Sequence, residues 1–394
     1  MASAAVLDWA IIGGGIHGVH LAARLLGEAR VPAEKLRIVD PAPSLLETWR
    51  RCSGNAGMRH LRSPGVHHLD LEPWSLVQFA EAKAAGDSKG MFAPPYGRPS
   101  RSLFADHCAR VIQRFGLDHR HQRDAAVHLD LTCDHVGVGL QSGTKLLARH
   151  VLLAIGSASE LRWPSWALAL REEGAQVRHV FDPGFVLAPQ TQPSRVAVIG
   201  AGLTGAQVAL RLADTHEVHL ISRHALRKHQ FDSDPGWIGP KHMRRFLMTE
   251  DPDARRAQIT AARHTGSMPP DVHRALRRAM EGGRVQFHRG TVQSAKGGDA
   301  LTLGIDSQRI QVDSVLLATG FGSGRPGGTL VDELVDTHAL PCASCGFPIV
   351  DAHLRWHPRV FVTGPLAELE IGPVSRNIVG ARRAAERIVP VACA

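Results

Sequence analysis

Two stretches decide the fold: Trp9-Ala10-Ile11-Ile12-Gly13-Gly14-Gly15-Ile16-His17-Gly18, and Arg195-Val196-Ala197-Val198-Ile199-Gly200-Ala201-Gly202-Leu203-Thr204-Gly205. Each starts as an apolar run of strand length and turns through G-x-G-x-x-G into an apolar-periodic helix. The first helix is expected from about Ile16 to Leu26, and the second opens over Ala206 to Ala213. The spacing has a physical reason: the first glycine permits the tight turn, the second lets a phosphate reach the backbone, and the third lets the helix lie close on the sheet. Free amides and the dipole at the helix N-terminus favour an anion there. One such motif is a weak signal. Two, each between a strand and a helix, predict two nucleotide-binding units.

The strand that follows each turn separates the two. Leu36 to Val39 ends at Asp40, 22 residues after Gly18, where a carboxylate can accept hydrogen bonds from ribose hydroxyls. Val218 to Ile221 ends at Ser222-Arg223 with no acid, and an arginine beside a small hydroxyl residue suits a ribose 2′-phosphate. The contrast assigns FAD to the first site and NADPH to the second.

Around these units the chain reads as α/β. Val127 to Cys133 and Val136 to Leu140 form an expected hairpin, and Val151 to Ala154 a buried strand ending at Gly156-Ser157. Leu187 to Ser194, with Pro189 and Pro193, reads as a linker. Ile310 to Ala318 is expected as one closing strand before Thr319-Gly320-Phe321. Val360 to Thr363 is a last strand, followed by a turn at Gly364-Pro365 and a helix over Pro373 to Ile388. The expected architecture is two Rossmann-like dinucleotide-binding domains. The FAD domain is discontinuous, over 1–190 and 323–394, with the NADPH domain, 191–322, inserted and carrying a small helical insertion at about 224–283. That insertion is longer than a bare crossover needs.

The 394 residues are 44% hydrophobic and 21% charged, which fits a globular chain with sizeable cores. No apolar run has membrane length, and no basic stretch precedes the first strand, so neither a span nor a signal peptide is expected. Six scattered cysteines make no disulfide framework, and a reducing cytoplasm is the default. The net charge of +9 comes without a basic run or aromatic platform, so nucleic acid is not an expected partner. Oligomeric state is not legible.

Three further stretches carry a resemblance. Asp313-x-x-x-Leu317-Ala318-Thr319-Gly320-Phe321, the passage from Trp49 to Met58-Arg59, and Asp232-Ser233-Asp234-Pro235-Gly236-Trp237 join the two glycine motifs. With them the chain resembles the two-dinucleotide-binding-domain flavoproteins, and within them the lysine/ornithine N-hydroxylating monooxygenases. The resemblance implies that NADPH reduces the flavin, that O2 then forms a C4a-hydroperoxyflavin, and that a nitrogen or sulfur of a small polar metabolite is hydroxylated. The alternative is a reductase passing electrons to a thiol, quinone or protein. The resemblance also implies cofactor contacts at Trp49, Val127, Gly156, Thr319, Gly320, Gly364 and Pro373, with the C-terminal helix aimed at the flavin, and places Met58 and Arg59 where oxygen reacts. The lysine that holds the amino-acid carboxylate in that group is not placed by the motifs in this sequence, and Arg59 and Arg62 are the nearby substitutes.

No histidine pattern has metal-ligand spacing, so no metal is expected. Cys342-Ala343-Ser344-Cys345 is a lone C-x-x-C past the second domain, and Cys52 is the better candidate for a flavin-facing thiol.

Overall fold

The strand Leu7–Ile12 lies buried between Leu36–Val39 and Lys145–Leu153, parallel to both. In the computed structural model, which describes residues 6–84, 90–158, 160–188, 192–298 and 300–393, these strands anchor the first sheet. Its order is Arg355–His357, Val360–Val362, Lys145–Leu153, Leu7–Ile12, Leu36–Val39, His121–Gln122. A strand buried on both faces needs a nearly continuous apolar run, which Leu7 to Ile12 supplies. The hairpin of Ala126–Leu131 and Val136–Leu140 extends antiparallel from Lys145–Leu153. Helix Ile16–Gly27 covers one face and packs against the C-terminal helix Ile378–Ala392.

The second sheet is wholly parallel, in the order Val285–Arg289, Glu217–Ser222, Arg195–Ile199, Ser314–Leu317, Val177–His179. Its edge strand, Val177–His179, therefore precedes residue 191. Residues 190 and 191, and Pro189 of the expected linker, lie outside the described residues. Helix Pro270–Glu281 packs on helix Leu203–Leu212 and leads into Val285–Arg289. It is the crossover helix of this sheet, so the extra segment stops near residue 269 instead of 283.

Two expected elements differ. Ile310 to Ala318 is two strands: Gln308–Val312 closes a three-stranded antiparallel sheet and Ser314–Leu317 joins the parallel one. Asp313 makes the break, because its carboxylate accepts from the Arg195 backbone N–H at 2.8 Å and pairs with the Arg195 guanidinium at 2.7 Å. The C-terminal α-helix starts at Ile378, and Pro373–Arg376 is a separate 3-10 turn. Gly372 at φ +84° and an extended Asn377 bracket that turn, and neither conformation continues a helix.

The extra segment reaches back to the first unit. Helices Pro240–Leu247 and Pro252–Ala262 bury Phe246 and Ile259 against Ala343, Phe347 and Leu369. On the opposite flank, helix Glu47–Asn55 docks on the second unit. Asn55 Nδ2 donates to the carbonyls of Val180 and Phe185 at 2.8 Å, and Arg211 Nη1 donates to the Gly54 carbonyl at 2.8 Å.

Candidate active site

The first glycine turn fits a dinucleotide pyrophosphate. Gly13 takes φ +114°, and a Cβ there would come within 2.5 Å of the Ala154 carbonyl oxygen. A Cβ on Gly18 would fall on the Gly13 carbonyl, so only glycine lets helix and strand pack here. Gly15, at the helix N-terminus, has nothing within 4 Å of a built Cβ, and Gly156 beside the turn is equally open. Asp40 braces the turn, accepting from Gly14 N at 2.6 Å and Ala42 N at 2.9 Å. Each carboxylate oxygen keeps a second lone pair for a ribose hydroxyl. Val127 is exposed at a bulge five residues beyond Gln122, whose carbonyl accepts from Asp40 N.

His17 extends the cradle. Its Nδ1 lies 2.8 Å from Thr363 Oγ1, next to Gly364 at φ +64°. Its Nε2 is buried without a well-formed hydrogen bond among the described residues, and the Asn377 backbone is the polar group that acts on the ring. Burial pushes the ring down to about 4, so the imidazole is neutral at pH 7. A buried nitrogen without a well-formed hydrogen bond is costly, and a cofactor oxygen would satisfy it. The Gly364 carbonyl in turn accepts from Ser375 Oγ, which ties the strand end to the Pro373–Arg376 turn.

The second turn repeats the geometry with one change. Gly200 takes φ +106° against the Ala318 carbonyl, and a Cβ on Gly205 would fall on the Gly200 carbonyl. Over Gly202, however, the extra segment arrives: a built Cβ would lie 3.4 Å from Gly266 Cα. Ser222 is buried, its hydroxyl facing the His224 amide at 3.4 Å, while Arg223 is exposed and has no partner among the described residues. Thr319 Oγ1 donates to the Arg162 carbonyl at 2.5 Å, and Gly320, at φ +77°, has nothing within 4 Å of a built Cβ.

Trp49 packs on Phe104, ring centroids 5.1 Å apart, and Met58 is half-buried against the first core. Arg59 is exposed, with no side-chain partner among the described residues. Arg62 is not free to hold a substrate carboxylate. Its guanidinium donates at 2.9 Å to the carbonyls of His229 and Gln230 and to Ser267 Oγ, clamping its loop to the extra segment. Cys52 packs against the second core, where burial raises its thiol above the ordinary value. Cys342 and Cys345 are free thiols, and burial also raises Cys342. Among the described residues no cluster could hold a metal, and no helix is long and apolar enough to cross a membrane.

Two sheets built around parallel strands, each with a glycine turn open to a phosphate at its strand ends, define a flavoprotein with two dinucleotide-binding domains. The family described as pyridine nucleotide-disulphide oxidoreductase matches residues 94–386, and the FAD-NAD(P)-binding family matches residues 10–158. The chain belongs to the pyridine nucleotide-disulphide oxidoreductase family, whose members are flavin-dependent oxidoreductases. A protein relative, an uncharacterized CzcO-like oxidoreductase of Geobacillus kaustophilus, is 24% identical over 229 residues. That match covers 58% of this chain, and the chain spans 62% of the relative's length. Among solved structures, the ornithine hydroxylase PvdA of Pseudomonas aeruginosa superposes with a TM-score of 0.76 at 18% identity, covering 99% of both chains. The L-lysine 6-monooxygenase of Pseudomonas syringae gives 0.74 at 20% identity, covering 98% of this chain and 99% of that one. The architecture is thus that of the flavin monooxygenase fold.

Proposed function

We propose that the protein is a cytoplasmic FAD- and NADPH-dependent monooxygenase that hydroxylates a nitrogen, or a sulfur, of a small polar metabolite with O2. The observation that carries this is the pair of glycine turns, one at the strand ends of each sheet and each shaped for a pyrophosphate, with the extra segment held to the first unit by Arg62. Likeness in fold to the ornithine and lysine hydroxylases supports it.

Residues 1 to about 160 and 323–394 form the FAD domain, and the second sheet with its extra segment forms the NADPH domain. FAD held here would supply the chemistry of taking a hydride from NADPH and activating O2, one oxygen atom going to the substrate and the other leaving as water. Gly13, Gly15 and Gly18 seat its pyrophosphate at the helix dipole, and Asp40 takes the adenosine ribose. Val127, Gly156, Gly364 and Trp49 line its path, and His17 donates Nε2–H to it as a neutral ring. The turn at Pro373 presents backbone amides to the pyrimidine edge. Gly200, Gly202 and Gly205 seat the second pyrophosphate, Arg223 pairs with the 2′-phosphate beside Ser222, and Thr319 and Gly320 border the nicotinamide. Met58 and Arg59 shape the reacting face, and Arg62 holds the loop that carries them to the extra segment.

The deciding experiment incubates purified protein with FAD, NADPH and a panel of amines and amino acids in air. Hydroxylamine formation above the hydrogen peroxide released without substrate is the expected result. Rapid NADPH oxidation that yields only peroxide across the panel, with efficient reduction of a quinone or disulfide, would replace the monooxygenase with a reductase.

A further inference from the structure

Glu368 is completely buried, and three guanidiniums converge on it. Arg256 pairs with its Oε1, Arg263 with Oε2 at 2.8 Å and Arg376 with Oε2 at 3.0 Å. The first two come from the extra segment and the third from the turn before the C-terminal helix. Asp232 is the other acid at hand: it faces Arg62 and Arg263, and its Oδ1 accepts from Asn377 Nδ2 at 3.2 Å. Glu370 is engaged elsewhere, by Arg255 and Arg387. Four cations, Arg62, Arg256, Arg263 and Arg376, therefore meet two carboxylates, a surplus of two positive charges. Burial, with Arg376 and Arg256 adding repulsion, lowers Arg263 to about 9.

Such a surplus is costly where it is largely removed from water, unless an anion answers it. The three arginines around Glu368 are only 17%, 21% and 24% exposed. Donors also remain: Arg263 reaches its partners through Nη2 and Arg376 through Nε and Nη2, so further N–H groups have no protein acceptor among the described residues. The cluster also sits between the two turns. Gly266, three residues after Arg263, rests on Gly202, and Ser375, next to Arg376, holds the Gly364 carbonyl beside His17.

We propose that Arg256, Arg263 and Arg376, lying between the two glycine turns, form a seat for a dianionic oxyanion group on the substrate, a phosphate monoester or a pair of carboxylates. Resting on the proposed function, this narrows its substrate to an amine bearing two negative charges. A lone carboxylate would leave one of the surplus charges unanswered.

The test follows the thermal midpoint of FAD-loaded, NADP+-saturated protein titrated with inorganic phosphate or succinate, with acetate at matched ionic strength as control. Saturable stabilisation by phosphate or succinate but not acetate is expected, and which of the two is stronger identifies the headgroup. In Arg263→Gln and Arg376→Gln the apparent dissociation constant should rise at least about tenfold, the scale of one charge-assisted pair. Arg263→Lys, which keeps the charge and loses the planar fork, should fall between and guards against a variant that does not fold. Equal stabilisation in wild type and variants, or none in either, overturns the seat. Stabilisation seen only without NADP+ hands it to the cofactor's pyrophosphate and equally overturns the substrate assignment. FAD content and flavin bleaching by NADPH are read separately, so a failure of the proposed function shows there and not in the anion titration.

Discussion

Gly15 and Gly18 lie three residues apart in one turn and answer to different forces. At Gly18 a methyl group meets backbone, so Gly18→Ala must push helix and strand apart at a cost of about 1–3 kcal/mol or more. The expected outcome is a lower midpoint for the FAD-free protein. At Gly15 the methyl meets open space, and φ −79° suits any residue. Gly15→Ala should therefore keep the FAD-free midpoint and weaken FAD by at least about tenfold, since it fills the space a phosphate needs. Equal midpoints for the two variants would contradict the cradle. Arg223 makes a similar split on the second unit: Arg223→Ala should raise the Michaelis constant for NADPH about tenfold or more and barely move that for NADH. Matching changes for both nucleotides would remove the 2′-phosphate contact.

Among the elements, those set by local chemistry were readable in the sequence and those set by distant partners were not. Both glycine turns, Asp40 at its strand end and the hairpin over 126–140 follow from residues adjacent in the chain. The break at Asp313 depends on Arg195, more than a hundred residues away, and no local spacing announces it. Helix Pro270–Glu281 reads as part of an insertion because only packing on Leu203–Leu212 makes it a crossover. Arg62 looked like a spare cation for the same reason: its three acceptors lie far along the chain. Its removal is an element-scale event. Arg62→Ala leaves two carbonyls and a hydroxyl short of a donor, a loss of about 2–4 kcal/mol that should appear as faster proteolysis within 224–269. Unchanged cleavage would mean that the extra segment holds itself in place.

On the scale of the whole molecule, buried histidines set the response to acid. His20, His107 and His179 are fully buried, and burial lowers them to about 3, 4 and 4. The unfolded chain protonates these rings near 6.5 and the folded chain only near 3–4. Between those values the unfolded state holds more protons, so stability falls as the pH drops from about 6.5 toward 4. Together they steepen the loss by up to about 4 kcal/mol per pH unit. Urea midpoints should fall sharply between pH 6.5 and 5, and a flat profile there would show the rings to be charged when folded.

The first sheet is built from both ends of the chain, with Val360–Val362 beside Lys145–Leu153 and Ile378–Ala392 lying on Ile16–Gly27. During synthesis, then, its early strands wait unfinished while the ribosome makes the entire second sheet. The yellow colour of a loaded flavoprotein should accordingly arrive only after the last strand emerges. Polypeptides released short of residue 360 should be colourless and held by chaperones, however well their second unit has folded.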